Sequence, residues 1–300
     1  MADPLSQIIE LLRPRAVFSK GISGAGRWGV RYSEFGQPGF CAVLEGECHL
    51  AVDGEKPVLL REGDFVLLPA TPAFSMYGPE PVMLRPVDPT ITPTPSGEVR
   101  HGRQDGPADV RLLGGYFIFD TPDAGLLVSL LPRMIHVCGV DRLTLLVRMV
   151  SEETAHEGTG SELVLVRLVE LLLVEALRAG RGQDDAPGLL RGLGDARVAE
   201  ALRRIHGDPE HAWTVAELAE EAGMSRTAFF DRFSRTVGKR PMEYLLGWRM
   251  AVAKELLGKQ SLALDEVARR VGYSSASTFS TAFSRHVGQP PGRYARSVAA

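Results

Sequence analysis

An eight-residue phrase occurs twice in the C-terminal third of the chain, as GMSRTAFF from Gly223 and as GYSSASTF from Gly272. The likeness extends over residues 217–244 and 266–294, which share several Gly, Ser, Phe, Val, Pro and Tyr positions once one copy is slipped by one residue. Each copy has apolar residues at helical spacing, then a Gly that allows a turn, then a Ser suited to cap a second helix. Two short helices joined by such a turn form a helix-turn-helix, so we predict that this motif is duplicated.

The segment between the copies, PMEYLLGWRMAVAKELLGKQ, starts with Pro241 and stays apolar at helical spacing until Gly258. Proline is favoured in the first turn of a helix, so the pattern predicts one continuous helix that joins the two units and fixes their separation. Successive major-groove faces of DNA lie about 34 Å apart along the duplex. A pair of units on one helix is therefore suited to two adjacent major grooves.

The charge distribution divides the chain near residue 190. Residues 191–300 contain 17 Lys and Arg against 12 Asp and Glu, a net charge of +5, while the rest contains 17 against 25, a net charge of −8. The C-terminal part suits a polyanion and the N-terminal part does not. A structural nucleoid protein without sequence preference would need a more basic domain than this one.

Short apolar runs fill residues 39–69 and are interrupted at Glu45-Gly46, Asp53-Gly54 and Glu62-Gly63-Asp64. Regularly spaced short strands with Gly-containing turns predict an antiparallel sandwich or barrel. We expect Glu45-Gly46 to form a two-residue hairpin loop, and residues 110–120 (VRLLGGYFIFD) to form a returning strand.

Two helices are predicted after the strands, at Asp141–Glu157 and from Ser161 to Gly180, with Ser161 as N-cap and Gly180 as the C-terminal stop. The charged side chains of the second helix between positions 167 and 178 fall within one stripe, and the remaining surface is apolar. That apolar surface is wider than the single face a surface helix buries. We expect a homodimer built on these helices; the alternative is a helix wholly buried in one core.

The apolar run from Leu163 to Leu177 is too short and too charged to span a bilayer, being broken by Arg167, Glu170 and Glu175. The N-terminus MADPLSQIIELLRPR lacks the basic start and apolar core of a signal peptide. We expect a cytoplasmic protein with no membrane partner.

Residues 197–296 resemble the DNA-binding domain of AraC/XylS-type transcription regulators. Three features carry the resemblance: the duplication, the register GMSRTAFFDRF…VGKRPMEYL and the ending VGQPPGRYAR. The stretches LEGECHLAVDG and REGDFVLLP resemble the cupin-type sensing domain of one branch of that family. The resemblance implies an α+β fold of two domains. These are a cupin-like β-barrel or jelly roll with dimerisation helices over residues 1–179, a linker over 180–190, and an all-α double helix-turn-helix over 191–300.

The family implies a sequence-specific regulator that binds double-stranded promoter DNA as a homodimer, responds to a small-molecule effector or another signal, and has RNA polymerase as a further partner. It places base-facing positions on the second helix of each unit: Arg226, Thr227, Phe230, Asp231, Ala276, Ser277, Ser280 and Thr281. Many relatives have Arg at the positions of Asp231 and Thr281; because arginine commonly contacts guanine while Asp accepts from cytosine, the target sequence is left open. Phe230 is as well suited to the core as to a thymine methyl.

Five basic residues are candidates for phosphate contacts, which position a domain without specifying sequence; they are Arg232, Arg235, Lys239, Arg240 and Arg285. The alternative for each is a solvated surface charge. A barrel of this size can enclose one ligand, and four side chains are candidates for its lining: Trp28, Phe40, His49 and Phe74.

A metal-binding cupin enzyme is the alternative class of protein. It needs two alternating His, a Glu and a third His on facing strands, but the first motif has only His49 and the second has Phe74 at a matching place. His101 and His136 are isolated in the sequence. We therefore expect no enzyme activity, no metal and no cofactor.

Three cysteines, Cys41, Cys48 and Cys138, occur at spacings unlike a zinc site, and reduced thiols are expected. With a hairpin at Glu45-Gly46, Cys41 and Cys48 would be diagonal neighbours about 7 to 8 Å apart, beyond the usual reach of a disulfide. A redox-sensing regulator is kept as a minority hypothesis.

Overall fold

The computed structural model describes residues 3–80, 82–88, 98–119, 121, 124–129, 131–155, 158–180, 187–259 and 262–299. The chain separates into two compact units. We call Arg13–Pro122 with Pro132–Asp184 the β unit, and Met1–Leu12, Asp123–Leu131 and Asp185–Ala300 the helical unit. Residues 181–186 of the predicted linker lie outside the described residues. Within the described ranges, no helix is long and apolar enough to cross a membrane.

The strands are β1 (Pro14–Ala25), β2 (Gly29–Tyr32), β3 (Gly39–Val52), β4 (Val58–Arg61), β5 (Phe65–Leu68), β6 (Phe74–Tyr77), β7 (Arg85–Val87), β8 (Val99–Gly102), β9 (Val110–Phe119) and β10 (Ile135–Val137). The helices are α1 (Pro4–Leu12), α2 (Ala124–Val128), α3 (Asp141–Ala155), α4 (Ser161–Ala179), α5 (Leu189–Gly194), α6 (Ala196–Gly207), α7 (Val215–Glu221), α8 (Arg226–Val237), α9 (Pro241–Gly258), α10 (Leu264–Arg270), α11 (Ala276–Val287) and α12 (Pro291–Ala299).

The β unit is built on one curled sheet in the order β7-β2-β6-β3-β9-β1-β8, with β4 and β5 paired to β3, and β10 paired to β5. Turns at Gly54 and Gly63 have φ of 85° and 84°, as expected where the sequence places Gly in tight turns. The returning strand predicted over residues 110–120 is confirmed as β9, which pairs with both β1 and β3. The cupin-like β domain expected from the resemblance as a barrel or jelly roll is thus present, in the form of a curled half-barrel.

Strand β3 runs through both halves of the sheet. Its residues 39–42 lie between β5 and β9, and its residues 49–52 lie beside β6. The change occurs at a register shift between Val43 and Glu45, where Gly46 has φ of 75°. The hairpin predicted at Glu45-Gly46 is therefore wrong, because a β-bulge with a positive-φ Gly bends a strand without reversing it.

Helices α3 and α4 pack against each other and against β1. Helix α4 ends at the predicted place, with Gly180 as its C-cap. The N-cap prediction is wrong by one residue: Gly160, with φ of 88°, is the N-cap, and Ser161 is the first helical residue. The Ser161 hydroxyl instead accepts a hydrogen bond from the backbone N–H of Gly158 at 3.1 Å.

The helical unit includes segments from outside the C-terminal third. Helix α1 packs on α6, and α2 contacts α1 and α9. Leu5, Ile8 and Leu12 of α1 are fully buried, and the helix falls within the helical unit, whereas the predicted first domain spans residues 1–179. A short apolar helix gains stability mainly by burying its apolar face on another element.

The duplication has a matching aromatic core in each copy. In the first, the rings of Phe229 and Phe233 lie 5.5 Å apart, and Tyr244 meets Phe233 edge-on at 5.9 Å. In the second, Phe279 and Phe283 lie 5.5 Å apart, and Tyr294 meets Phe283 edge-on at 5.6 Å. The predicted linking helix is α9, whose 18 residues span about 27 Å.

The turns explain the one-residue slip between the copies. Ser225 caps α8 two residues after Gly223, whereas Ser275 caps α11 three residues after Gly272. The extra residue thus lies in the second turn, and the second helices correspond position by position. Thr214 and Glu217 form a capping box at the start of α7, while Ala263 is the N-cap of α10 and provides no side-chain cap.

Candidate DNA interface and effector cavity

Helix α8, the second helix of the first helix-turn-helix unit, has a packed side and an exposed side. Phe229 and Phe233 are buried, while the predicted base-facing residues Arg226, Thr227 and Asp231 are exposed. Phe230 is 36% exposed, whereas its neighbour Phe229 is fully buried in the core. The exposed side of α8 therefore carries both signs of charge and one aromatic ring.

The corresponding helix α11 presents a neutral surface. Ser277 and Thr281 are exposed, and Ala276 and Ser280 are half-buried. The Thr281 hydroxyl donates to the Ser277 carbonyl at 3.1 Å, one turn back in the same helix. Small hydroxyl side chains can contact any base, so α11 has fewer discriminating groups than α8.

The five predicted phosphate ligands have different surroundings. Arg235, Arg240 and Arg285 are exposed. The Nζ of Lys239 lies 3.4 Å from the Ser129 hydroxyl in the segment after α2.

Arg232 differs from the other four because its Nε donates to Asp195 Oδ2 at 2.6 Å. Asp195 is also the N-cap of α6. Burial of this carboxyl opposes ionisation, but the Arg232 bond and the backbone amides of α6 outweigh it and lower the Asp195 pKa. One nitrogen of Arg232 is therefore already used inside the helical unit.

The β unit contains a cavity of about 120 Å³. Its lining is mostly apolar and comes from six strands and their connections: Lys20, Ile22, Tyr32, Phe35, Gly39, Phe40, Cys41, Leu50, Val66, Leu68, Thr71, Phe74, Met76, Gly114, Gly115 and Tyr116. An engineered cavity of about 150 Å³ holds benzene, so this space suits a molecule of similar size.

Two of the four predicted lining residues, Phe40 and Phe74, line the cavity. His49 does not line the cavity, although the next residue of β3, Leu50, does. Its ring stacks on Tyr77 at 5.1 Å. Trp28 is also outside the lining, since its buried indole stacks on His101 at 6.1 Å.

Lys20 is the cationic group of the lining, and the sequence analysis did not find it. Burial lowers the pKa of its ammonium, because a charge loses hydration in an apolar cavity. Burial likewise raises the pKa of Tyr32 to about 12, so its hydroxyl stays protonated and can donate. The cavity thus offers one cation and a hydroxyl donor against apolar walls.

The chemistry of the cysteines is unfavourable to redox sensing. Cys41 pairs across the sheet with Val66, and Cys48 pairs with Leu60, so the hairpin geometry that made them diagonal neighbours does not exist. Burial raises the pKa of Cys41, and that of Cys48 to about 12. Protonated thiols are poor nucleophiles, and the redox alternative is not favoured.

Comparison with known proteins agrees with both halves of the structure. A cupin family model matches residues 3–180, and a helix-turn-helix domain model matches residues 218–297. AraC-like transcription regulators of Streptomyces lividans and Streptomyces antibioticus are each 36% identical over 305 residues, covering 97% of this chain and 97% and 98% of those proteins. A helix-turn-helix transcriptional regulator of Haemophilus influenzae is 29% identical over 99% of both chains.

A cupin half-barrel followed by a duplicated helix-turn-helix defines a DNA-binding regulator with a separate sensing domain. The chain belongs to the AraC-like transcription regulators. The resemblance noted in the sequence is confirmed, and DNA is a partner of this protein. The enzyme alternative is not favoured, because the relatives that match the full chain are transcription regulators.

Proposed function

We propose that the protein regulates transcription in response to a small, largely apolar molecule that carries an acidic group and binds in the β-unit cavity. The observation that carries this proposal is the presence of Lys20, a half-buried cation, in a lining that is mostly apolar. A charge removed from water is best stabilised by an opposite charge, so an anionic ligand group gains most there. The cavity volume limits the ligand to about the size of a substituted benzene ring.

We further propose that α8 and α11 enter successive major grooves and that the eight predicted base-facing residues lie against base edges. The exposure of Arg226 and Asp231 on α8 supports this assignment, since both can discriminate between bases. Arg235, Lys239, Arg240 and Arg285 contact phosphates. Arg232 contacts phosphate only through the nitrogens that Asp195 leaves available.

The protein acts as a homodimer through α3 and α4. Five large apolar side chains on these helices are exposed, and they are Leu145, Met149, Leu163, Val164 and Leu171. An apolar patch of this kind on two adjacent helices marks an interaction site, and a two-fold interface suits two DNA half-sites. We place the protein in the cytoplasm, acting by binding rather than catalysis, with RNA polymerase as a further partner.

The effector proposal is tested with the full-length protein and the variant Lys20→Met, which keeps the length of the side chain and removes its charge. Isothermal titration compares a panel of small aromatic and branched carboxylates with their neutral amides. We expect the carboxylates to bind the native protein and the variant to lose about 10-fold or more in affinity for them, as expected for a hydrogen bond to a charged group. The amides should be affected much less.

Lys56→Met is the matched control, because Lys56 is exposed on the same unit and outside the cavity. A carboxylate that binds Lys20→Met as tightly as the native protein would overturn the role of Lys20. Gel shifts with and without the bound carboxylate then test regulation, since a ligand changes DNA affinity only if it binds two states of the protein unequally.

A further inference from the structure

A cluster of metal-ligand side chains in the β unit is formed by residues that are not part of the effector-cavity lining. Asp64, His136 and Cys138 place a carboxylate oxygen, a ring nitrogen and a sulfur within 4.8 Å of one another. Asp64 is buried, His136 is half-buried and Cys138 is exposed, so the cluster is open to solvent on one side. Among the described residues, no other group of three or more His, Cys, Asp and Glu side chains has this arrangement.

The fold brings these residues together from distant parts of the chain. Strand β10 pairs antiparallel with β5, with Val137 opposite Phe65, so the next pair along the ladder joins Cys138 to Asp64. His136 and Cys138 are two residues apart in an extended segment and therefore lie on one face. The sequence gives no sign of the cluster because 72 residues separate Asp64 from His136.

The distances agree with those around a tetrahedral zinc ion. His136 Nε2 lies 3.0 Å from Asp64 Oδ2 and 3.6 Å from Cys138 Sγ. Zn–N and Zn–O bonds of about 2.0 to 2.1 Å and a Zn–S bond of about 2.3 Å, set at tetrahedral angles, separate nitrogen from oxygen by about 3.3 Å and nitrogen from sulfur by about 3.6 Å. These two separations lie within a few tenths of an ångström of the zinc values, and the third pair, Asp64 and Cys138, lies within 4.8 Å.

The Asp64 carboxylate is held in place by the backbone. Its Oδ2 accepts a hydrogen bond from the N–H of Arg61 at 3.0 Å, across the turn that joins β4 to β5. Hydrogen bonds of this kind orient metal ligands and fix the site before the ion arrives. The Arg61 side chain lies beside Glu47 Oε2 at 3.7 Å, which offsets its charge near the cluster.

The same three residue types could instead form a nucleophilic triad, but the geometry is unsuitable. In a triad the nucleophile and the orienting carboxylate contact the two different nitrogens of the imidazole. Here both Cys138 and Asp64 contact Nε2. Burial and Asp64 also raise the pKa of Cys138, so the free thiol is not activated as a nucleophile.

We propose that Asp64, His136 and Cys138 bind a single divalent transition-metal ion, with Zn²⁺ as the fitting ion, and that water takes the fourth position. A mixed set of oxygen, nitrogen and sulfur donors suits borderline-soft Zn²⁺ rather than Mg²⁺ or Ca²⁺. On binding, the Cys138 thiol releases its proton to solvent, and the neutral imidazole of His136 binds through Nε2 with its ring proton on Nδ1. The ion links the turn before β5 to the end of β10.

The test uses full-length protein stripped of metal with a chelator and then titrated with Zn²⁺ against a chromophoric competitor. We expect about one Zn²⁺ per chain at this site. Cys138→Ser and His136→Gln should each lower the affinity for Zn²⁺. The loss should exceed the about 10- to 100-fold that follows when a hydrogen-bond partner of a metal ligand is removed. Co²⁺ in place of Zn²⁺ should give a thiolate-to-metal charge-transfer band that Cys138→Ser abolishes.

Cys48→Ala and His101→Gln are the matched controls, because each removes the same residue type outside the cluster and should leave Zn²⁺ binding unchanged. Cys138→His should still bind Zn²⁺ but lose the cobalt–thiolate band, which separates a ligand role from a structural one. Circular dichroism identifies any variant that fails to fold, and Cys138→Ser, at an exposed position, keeps the test independent of folding. No Zn²⁺ binding by the native protein, or equal affinity in Cys138→Ser, would overturn the proposal.

Discussion

Arg226 and Arg235 lie near opposite ends of α8 and are both exposed, yet we expect them to affect DNA binding differently. Arg226→Ala should weaken binding to the preferred site by about 1 to 3 kcal/mol, because an arginine that contacts guanine discriminates between bases. Binding to random DNA should change much less. Gel-shift titrations with the preferred duplex and with a random duplex of equal length measure the difference.

Arg235→Ala is the comparison variant on the same helix. It should lower binding to every duplex and reduce the slope of log K against log salt by about one unit, because it removes a phosphate contact. An equal loss on preferred and random DNA for Arg226→Ala would contradict its base-facing assignment.

His206 is a buried group whose ionisation should make stability depend on pH. Its Nδ1 contacts Gln7 Oε1 at 3.1 Å and its Nε2 contacts the Tyr244 hydroxyl at 2.7 Å. Burial lowers its pKa to about 3, so the folded protein excludes a proton that the unfolded chain binds below about pH 6.5. Stability from this group is therefore complete above pH 6.5 and is lost as the pH falls toward 3.

Between pH 7 and pH 5, His206 alone should lower the free energy of unfolding by about 2 kcal/mol. Urea unfolding at both pH values, followed by tryptophan fluorescence, measures this change, since the ring of Trp248 stacks on His206 at 3.9 Å. His206→Gln should be less stable at pH 7 but should lose less stability on acidification. A variant with the same pH dependence as the native protein would rule out His206 as the source.

At the scale of the helix, the two copies of the motif differ in how their first helices begin. Thr214 and Glu217 satisfy backbone amides at the start of α7, whereas Ala263 offers no side-chain acceptor at the start of α10. We predict that Thr214→Ala lowers the free energy of unfolding by about 1 kcal/mol and that Ala263→Ser raises it by a similar or smaller amount. Urea titration of both variants measures the two changes in the free energy of unfolding. Changes of the same sign would contradict the capping argument.

The helix-turn-helix elements could be predicted because their signals are local. Gly223 and Gly272 both take the positive φ that the turns need, and the Phe pairs that follow, Phe229 with Phe233 and Phe279 with Phe283, pack at helical spacing. Each signal lies within a few residues of the structure it specifies. The extra residue in the second turn changes the alignment but not the motif.

Strand β3 could not be predicted correctly because the local signal has two structural meanings. A Glu-Gly pair between apolar residues is typical of a hairpin, but Gly46 with positive φ also fits a β-bulge. The choice is made by distant pairing, since β9 continues alongside both sides of the bulge. Lys20 was missed for the same reason, because the cavity is assembled from strands far apart in the sequence.

For the whole molecule, the exposed apolar side chains of α3 and α4 predict its oligomeric state. Leu163 is 63% exposed and Leu171 is 45% exposed, and leaving large apolar side chains in water is costly. We predict that the native protein is a dimer at micromolar concentration and that the double variant Leu163→Glu with Leu171→Glu is a monomer. Sedimentation velocity distinguishes the two states.

The monomeric variant should keep its fold and its binding to a single half-site, because the substituted side chains are exposed and lie in the β unit, outside the helix-turn-helix motifs. On a duplex with two half-sites it should lose the added affinity that simultaneous contact by two linked domains provides, about 100-fold or more. Glu162→Gln, at an exposed position on the same helix, is the control and should remain dimeric. If the native protein sediments as a monomer, the predicted dimer is wrong, and the prediction of paired half-sites is wrong with it.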